Sequence, residues 1–236
     1  QTTSYQSVSE IKRLFEDPDQ AQLLQLEFGH QQAVARYVEA ELARPSFLQE
    51  KSRPTSAEIG TAVHYVIQSL PLDQAINLMT LEDLVKQLVE RGSLNENVVS
   101  YMDLNQIVSF FATDLGRRLL NKPESVSREV PFTMLMRAGN LFEGIQKDAD
   151  DKLLIHGIID GFIEYPDHLV LFDFKTDYVG DRLEELVNKY RGQMIVYREA
   201  LAQVKQKPVK ETYLCFLATK QNILVDEYAK KPKTTL

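Results

Sequence analysis

Residues 152–175 read KLLIHGIIDGFIEYPDHLVLFDFK, two runs rich in Ile, Leu, Val and Phe separated by Glu164-Tyr-Pro-Asp167. Such runs read as strands and the break between them is turn chemistry, so the stretch predicts a β-hairpin. With its turn centred on Pro166 and Asp167, Asp160 on the first strand stands opposite Asp173 on the second, their Cβ atoms roughly 5 Å apart. Bare like charges at that spacing repel each other, and a cation between them removes the conflict. Hard divalent ions such as Mg²⁺ are held by one or two carboxylates plus water. Side chains alternate along a strand, so Lys175 projects to the same side as Asp173.

This grouping suits one kind of chemistry. A phosphodiester is already anionic and gains charge as it is attacked, while water at neutral pH is a poor nucleophile. A metal held by Asp160, Asp173 and the backbone carbonyl of Phe174 would polarise the phosphate, lower the pKa of bound water and orient both. Lys175 would stabilise the developing charge or orient the water. A lone D-x-K also fits an exposed hairpin with solvated charges. Its register with G-x-x-D gives it weight.

Other segments offer partners. Thr55 with Glu58 three positions on is a capping-box signature, so a helix starts there and carries Gly60 and His64 one turn apart on one face. Gly60 lets another backbone approach closely. His64, beside Ala62, Val63, Val66 and Ile67, reads by its surroundings either as a core histidine or as a ligand. His156, four residues before Asp160, is its rival. Gln193 and Tyr197 are spaced i, i+4 in the helically periodic segment Leu183 to Gln203 and share a face. They either serve the site or seat the helix on the sheet. Glu129, in the strand-like segment Arg128 to Leu135, is a candidate to hold a second metal or a neighbouring lysine.

The order Gly60-x-x-x-His64, Gly157-x-x-Asp160, Asp173-x-Lys175, Gln193-x-x-x-Tyr197 resembles the RecB-type branch of the PD-(D/E)xK nucleases, and within it the nuclease domains of AddA-type (RexA-type) helicase–nucleases. The resemblance extends to the segments 7–13, 58–64, 128–132, 173–177 and 212–216 and covers nearly the whole chain. It implies a restriction-endonuclease-like α/β fold, a mixed sheet core flanked by helices with an N-terminal helical layer. It implies His64 as a further metal ligand or phosphate contact, and Gln193 and Tyr197 as residues that contact DNA or hold the lysine. The implied activity is a Mg²⁺-dependent exonuclease on single-stranded DNA, with Mn²⁺ able to substitute, in double-strand-break repair and recombination. The implied partners are a helicase portion of the same polypeptide and a second protein of the AddB/RexB type. Two readings of other kinds stand beside it: a non-catalytic DNA-binding or assembly module, and a free-standing endonuclease of the same superfamily.

Composition bounds these readings. With 236 residues, 44% hydrophobic and 26% charged, the chain is long enough for one large α/β domain. No apolar run approaches the roughly 20 residues of a membrane span, and no signal-peptide pattern opens the sequence, so a soluble, cytoplasmic protein is expected with no membrane partner. The single cysteine, Cys215, excludes internal disulfides and a four-cysteine iron–sulfur cluster, and reads as core. No G-x-x-x-x-G-K-[ST] loop is present, so an ATP motor is not expected in these residues. A net charge of −7 argues against non-specific coating of nucleic acid, which depends on phosphate neutralisation by Lys and Arg. DNA is then met locally, with Lys12, Arg13, Arg117, Arg118, Lys122, Arg128, Lys189 and Arg191 as candidates for a groove.

A single nuclease domain is expected over 1–236, with 1–122 mainly helical and 123–236 an α/β catalytic core. The helices expected in the first part start at Ser7 with Glu10, run over Phe28 to Ala43, over Thr80 to Arg91 up to Gly92, and over Asp103 to Leu120. The core is expected to comprise strands over 128–137, 152–164 and 168–175, a helix over about 182–203, and strands over 212–219 and 223–227. Gly139 to Asp151 reads as a mobile loop, and Ala229 to Leu236 as a frayed end or tag remnant.

Overall fold

The computed structural model describes residues 4–7, 53–137 and 152–225. They build a six-stranded mixed sheet from β1 (Ser4–Ser7), β2 (Val126–Arg137), β3 (Lys152–Glu164), β4 (Leu169–Lys175), β5 (Val209–Phe216) and β6 (Gln221–Leu224). The long strand β3 is the spine. Antiparallel β2 follows one edge, while parallel β1 and antiparallel β4 share the other, the first at residues 153–156 and the second at 161–164. Strand β5 runs parallel to β4, which requires a crossover, and the helix α6 (Leu183–Lys205) supplies it.

The helices α1 (Ser56–Ser69), α2 (Leu78–Glu90), α3 (Glu96–Val99), α4 (Leu104–Phe111) and α5 (Asp114–Asn121) form a second layer. One apolar cluster fills the space between the sheet and α6, with Phe132, Ile159, Leu171, Met194 and Val196. The other lies under the remaining helices, with Val66, Leu81, Phe110, Leu119, Phe172 and Phe174. Strand β4 carries apolar side chains on both faces and is buried along six of its seven residues, as a strand covered by helices on both sides must be.

Local signals set most boundaries. The Thr55–Glu58 capping box forms as expected: the Glu58 N–H donates to Thr55 Oγ1 at 3.2 Å, and the Thr55 N–H donates to Glu58 at 2.7 Å. The helix expected from Thr80 starts earlier, at Leu78, because Asn77 caps it reciprocally with Thr80. The single helix expected over Asp103 to Leu120 is two. Thr113 accepts from the Gly116 N–H at 3.1 Å and caps a new helix, and its hydroxyl donates to Phe110 O at 2.6 Å. Strand β1 has no counterpart among the expected elements, since a four-residue strand carries little periodicity of its own. The helices expected after Ser7 and over Phe28 to Ala43, the loop Gly139 to Asp151 and the end Ala229 to Leu236 lie outside the described residues. No described helix is long and apolar enough to cross a membrane.

One irregularity positions the site. Along β3, Ile155 and Ile159 face α6, and so does Phe162, while Ile163 joins the opposite cluster. Alternation therefore breaks between Asp160 and Gly161. Along β2, Val130, Phe132 and Met134 pack on the α6 side, whereas Val126 packs on the other and Arg128 reaches back to donate 2.7 Å to the Ile67 carbonyl of α1. The break there is at Glu129, whose φ of 51° is left-handed, a conformation uncommon for a residue with a Cβ. Pairing resumes unchanged on both sides, Arg128↔Gly161 and Val130↔Ile159, so both strands turn over at the same height. The outcome is that Glu129 and Asp160 present their carboxylates toward α1.

Candidate active site

The sequence sets Asp160 opposite Asp173 with a cation between them, and the structure departs from that arrangement. The β3–β4 ladder has the anticipated register, Gly161↔Phe172 through Glu164↔Leu169, and ends one position short of the two aspartates. Beyond that point the strands part, and the Phe174 N–H donates to Asp160 Oδ2 at 2.7 Å. The break in alternation sends Asp160 toward α1, while Asp173 keeps the phase of β4 and faces α6. The Asp160 charge reaches Asp173 across the gap and helps to raise its pKa.

On the α1 side, His64 Nδ1 lies 3.3 Å from Asp160 Oδ2. One ligand atom each from His64, Glu129 and Asp160 fall within 4.8 Å of one another, all on half-buried side chains. An imidazole and two carboxylates at that spacing suit a divalent ion. Burial disfavours the His64 imidazolium, but the hydrogen bond and charge of Asp160, aided by Asp173, outweigh it and raise the pKa. Burial and the neighbouring Asp160 raise Glu129 as well. What comes close to Gly60 is a side chain rather than a backbone: a Cβ there would stand 3.2 Å from Thr176 Oγ1, so the glycine lets α1 settle against the end of β4. His156, the rival histidine, pairs in register with Thr133 and Ser7 and is not among the three.

On the α6 side, Asp173 is 1% exposed in a strand whose only other charged residue is Lys175. Lys175 Nζ stands 2.6 Å from Asp173 Oδ2, a buried ion pair. Burial pushes the Asp173 carboxyl up to about 6, with Lys175 opposing and Asp160 adding to the shift. A carboxylate this buried costs stability unless it is paired, and Lys175 is the partner. Lys175 also donates to Gln193 Oε1 at 3.0 Å, and Gln193 Nε2 donates to the Tyr197 hydroxyl at 2.9 Å. The ammonium thereby fixes which way the amide points. Burial and the acidic neighbours raise Tyr197, and its ring meets Phe132 edge-on, so this residue both seats α6 and completes the chain of contacts to Lys175.

Glu129, which the sequence offers only as a candidate to hold a second metal or a neighbouring lysine, lies in the fold beside His64 and Asp160. Its signal is faint, because nothing in Arg128-Glu-Val-Pro marks a left-handed glutamate. Of the cations expected to line a groove, several are engaged within the fold. Arg117 pairs with Asp114, Arg118 makes a bidentate pair with Glu211 at 2.8 and 2.9 Å, Arg128 caps α1, and Lys189 lies 4.0 Å from Asp177. Lys12 and Arg13 lie outside the described residues.

The family model for the PD-(D/E)XK nuclease superfamily matches residues 31–235. Among curated proteins, the chain is 41% identical over 225 residues to an ATP-dependent helicase/nuclease of Pediococcus pentosaceus, covering 92% of this chain. It is 39% identical over 228 residues to the protein of the same name in Ligilactobacillus salivarius, covering 95% of this chain, and 40% identical over 227 residues to that of Enterococcus faecalis, covering 92%. The chain spans 18% of the length of each of these relatives.

Proposed function

The chain belongs to the PD-(D/E)XK nuclease superfamily, and on that premise we propose that it is a divalent-metal-dependent deoxyribonuclease domain acting on single-stranded DNA. The observation that carries the reading is the meeting of His64, Glu129 and Asp160 within 4.8 Å, next to the ion pair of Asp173 and Lys175. His64, Asp160, Asp173 and the Phe174 carbonyl would hold Mg²⁺, with Mn²⁺ able to replace it and Glu129 as a further ligand. The ion supplies Lewis acidity and a water of lowered pKa. The chain's residues do the rest. Lys175 carries the charge that meets the phosphate, while Gln193 and Tyr197 orient Lys175. Phe174, through its N–H, holds the Asp160 carboxylate in place.

The relatives are named as helicase/nucleases, and this chain spans their nuclease-like fraction. A helicase segment on the same polypeptide would then deliver one strand to the site, with a protein of the AddB/RexB type as partner. Labelled single- and double-stranded DNA, incubated with the purified chain with and without Mg²⁺, tests the reading. Metal-dependent loss of the single strand is expected. Cleavage undiminished by chelation, or none with either substrate at saturating metal, would refute it.

Metal binding should also carry a proton signature. A carboxyl whose folded pKa is raised from 3.8 to about 6 favours the folded state most below the lower value, and that contribution is lost as pH climbs through the upper one. An ion that takes Asp173 as a ligand displaces the proton, as it does that of His64, so affinity should fall as pH drops below about 6. Calorimetry with Mn²⁺ at about pH 5.5, in buffers of different ionisation enthalpy, should report proton release that shrinks in Asp173→Asn. Identical release in the variant removes Asp173 from the ligand set.

A further inference from the structure

Tyr190 lies on α6 one turn before Gln193, on the same face, and is 4% exposed. Lys175 Nζ stands 4.2 Å from the centroid of its ring. The Tyr190 hydroxyl donates to Asp177 Oδ2 at 2.8 Å, so the ring is anchored to the residue two positions beyond Lys175. The Lys175 side chain is 12% exposed, and among the described residues its ammonium meets Asp173 Oδ2, Gln193 Oε1 and the face of Tyr190.

These neighbours act differently on the charge. A carboxylate at 2.6 Å attracts the ammonium and also neutralises it. The amide oxygen and the aromatic face hold a cation while remaining uncharged themselves, which leaves its positive field free to act on an incoming anion. An aromatic face also excludes water, so the attraction is stronger than at an exposed site. Lys189 touches the same ring at 5.2 Å, but its side chain is 35% exposed and 4.0 Å from Asp177, a looser contact at the rim.

We propose that Tyr190 is a positioning residue for Lys175. Its ring is the seat that aims the ammonium at the phosphate, and the hydrogen bond to Asp177 keeps the ring in place. Tyr190, Gln193 and Tyr197, at i, i+3 and i+7, then form one row of α6 side chains serving β4. The inference rests on the reading of Lys175 as the cation that meets the phosphate.

The test compares Tyr190→Leu, Tyr190→Phe and Lys175→Ala with the unsubstituted chain, by two readouts. In the metal-free chain, NMR of lysine labelled at Cε should find the Lys175 Hε resonances shifted upfield by the ring. Tyr190→Phe should keep the shift and Tyr190→Leu should lose it. In cleavage of labelled single-stranded DNA with Mg²⁺, Tyr190→Leu should lower kcat about tenfold or more with little change in KM, and Tyr190→Phe should recover most of that loss. An unshifted Lys175 resonance in the unsubstituted chain overturns the inference without any variant having to fold. So does a Tyr190→Leu protein that cleaves at full rate, or a loss that Tyr190→Phe shares equally. Full cleavage by Lys175→Ala overturns the reading of Lys175 itself and the inference with it, whereas full cleavage by Tyr190→Leu alone removes only the inference.

Discussion

Lys175→Ala is expected to lower cleavage by about 10²- to 10³-fold, the cost of removing one preorganised group that stabilises transition-state charge. Divalent-ion binding should survive, because His64, Glu129 and Asp160 converge without Lys175. Removing the ammonium leaves Asp173 buried beside no cation, and its raised pKa supplies the escape: the carboxyl takes up a proton rather than remain charged. Lys175→Met, which keeps the apolar stem, separates lost charge from lost packing. Asp160→Ala should behave differently, losing metal binding and cleavage together, since it takes a carboxylate from the three and the acceptor from the Phe174 N–H. Calorimetry with Mn²⁺ and single-turnover cleavage on the same preparations check both variants. If Lys175→Met cleaves at the unsubstituted rate, the ammonium has no part in the reaction.

Gly116→Ala is expected to be the most damaging small change outside the site. A Cβ at this position would fall 2.2 Å from the Phe110 carbonyl oxygen and 2.5 Å from the Phe111 Cα. These are backbone atoms of α4, so no side chain can swing aside, and the α4–α5 corner would have to open over a core that includes Phe110 and Leu119. A cost at the upper end for overpacking, about 3 kcal/mol, follows. For a chain of this size that lowers the melting temperature by roughly 6 to 12 °C. Gly92 is the control. It has φ of 71° with open space around the missing Cβ, so Gly92→Asn, which tolerates the left-handed region, should change stability little. Thermal denaturation followed by circular dichroism decides the matter. Equal melting temperatures for Gly116→Ala and the unsubstituted chain would mean that the corner yields at no cost.

Arg118 illustrates how charge in the sequence and charge in the fold diverge. It reads as a free cation suited to a groove, yet it bridges α5 to β5 through Glu211, and that pairing with Tyr165 beside it raises its pKa. Among the described residues, fewer cations are free to meet an anion than a count of Lys and Arg suggests. On the proposed reading, an ion held by His64, Glu129 and Asp160 would then matter more for holding a phosphate.

Much of this protein is written locally. The hairpin register follows from Pro166-Asp167 and two apolar runs. The start of α1 follows from Thr55 and Glu58, and the shared face of Gln193 and Tyr197 from helical spacing. Each signal is complete within about ten residues, because turns, caps and periodicity depend on neighbouring dihedrals and side chains. Asp160, Asp173, Lys175 and His64 can be named before any fold exists. Other features depend on segments far apart in the chain. Strand β1 gains its meaning by pairing with β3, and the seat of Lys175 by the docking of α6 on β4. The left-handed turn at Glu129 is the sharpest case. No propensity of a glutamate requests it, and only the paired strands on either side hold it there. Strand alternation is a local rule that sets two aspartates face to face. Tertiary packing interrupts that rule at one height in β2 and β3, sending Asp160 to His64 and Glu129 and leaving Asp173 to Lys175, so residues legible in the sequence acquire their partners only in the fold.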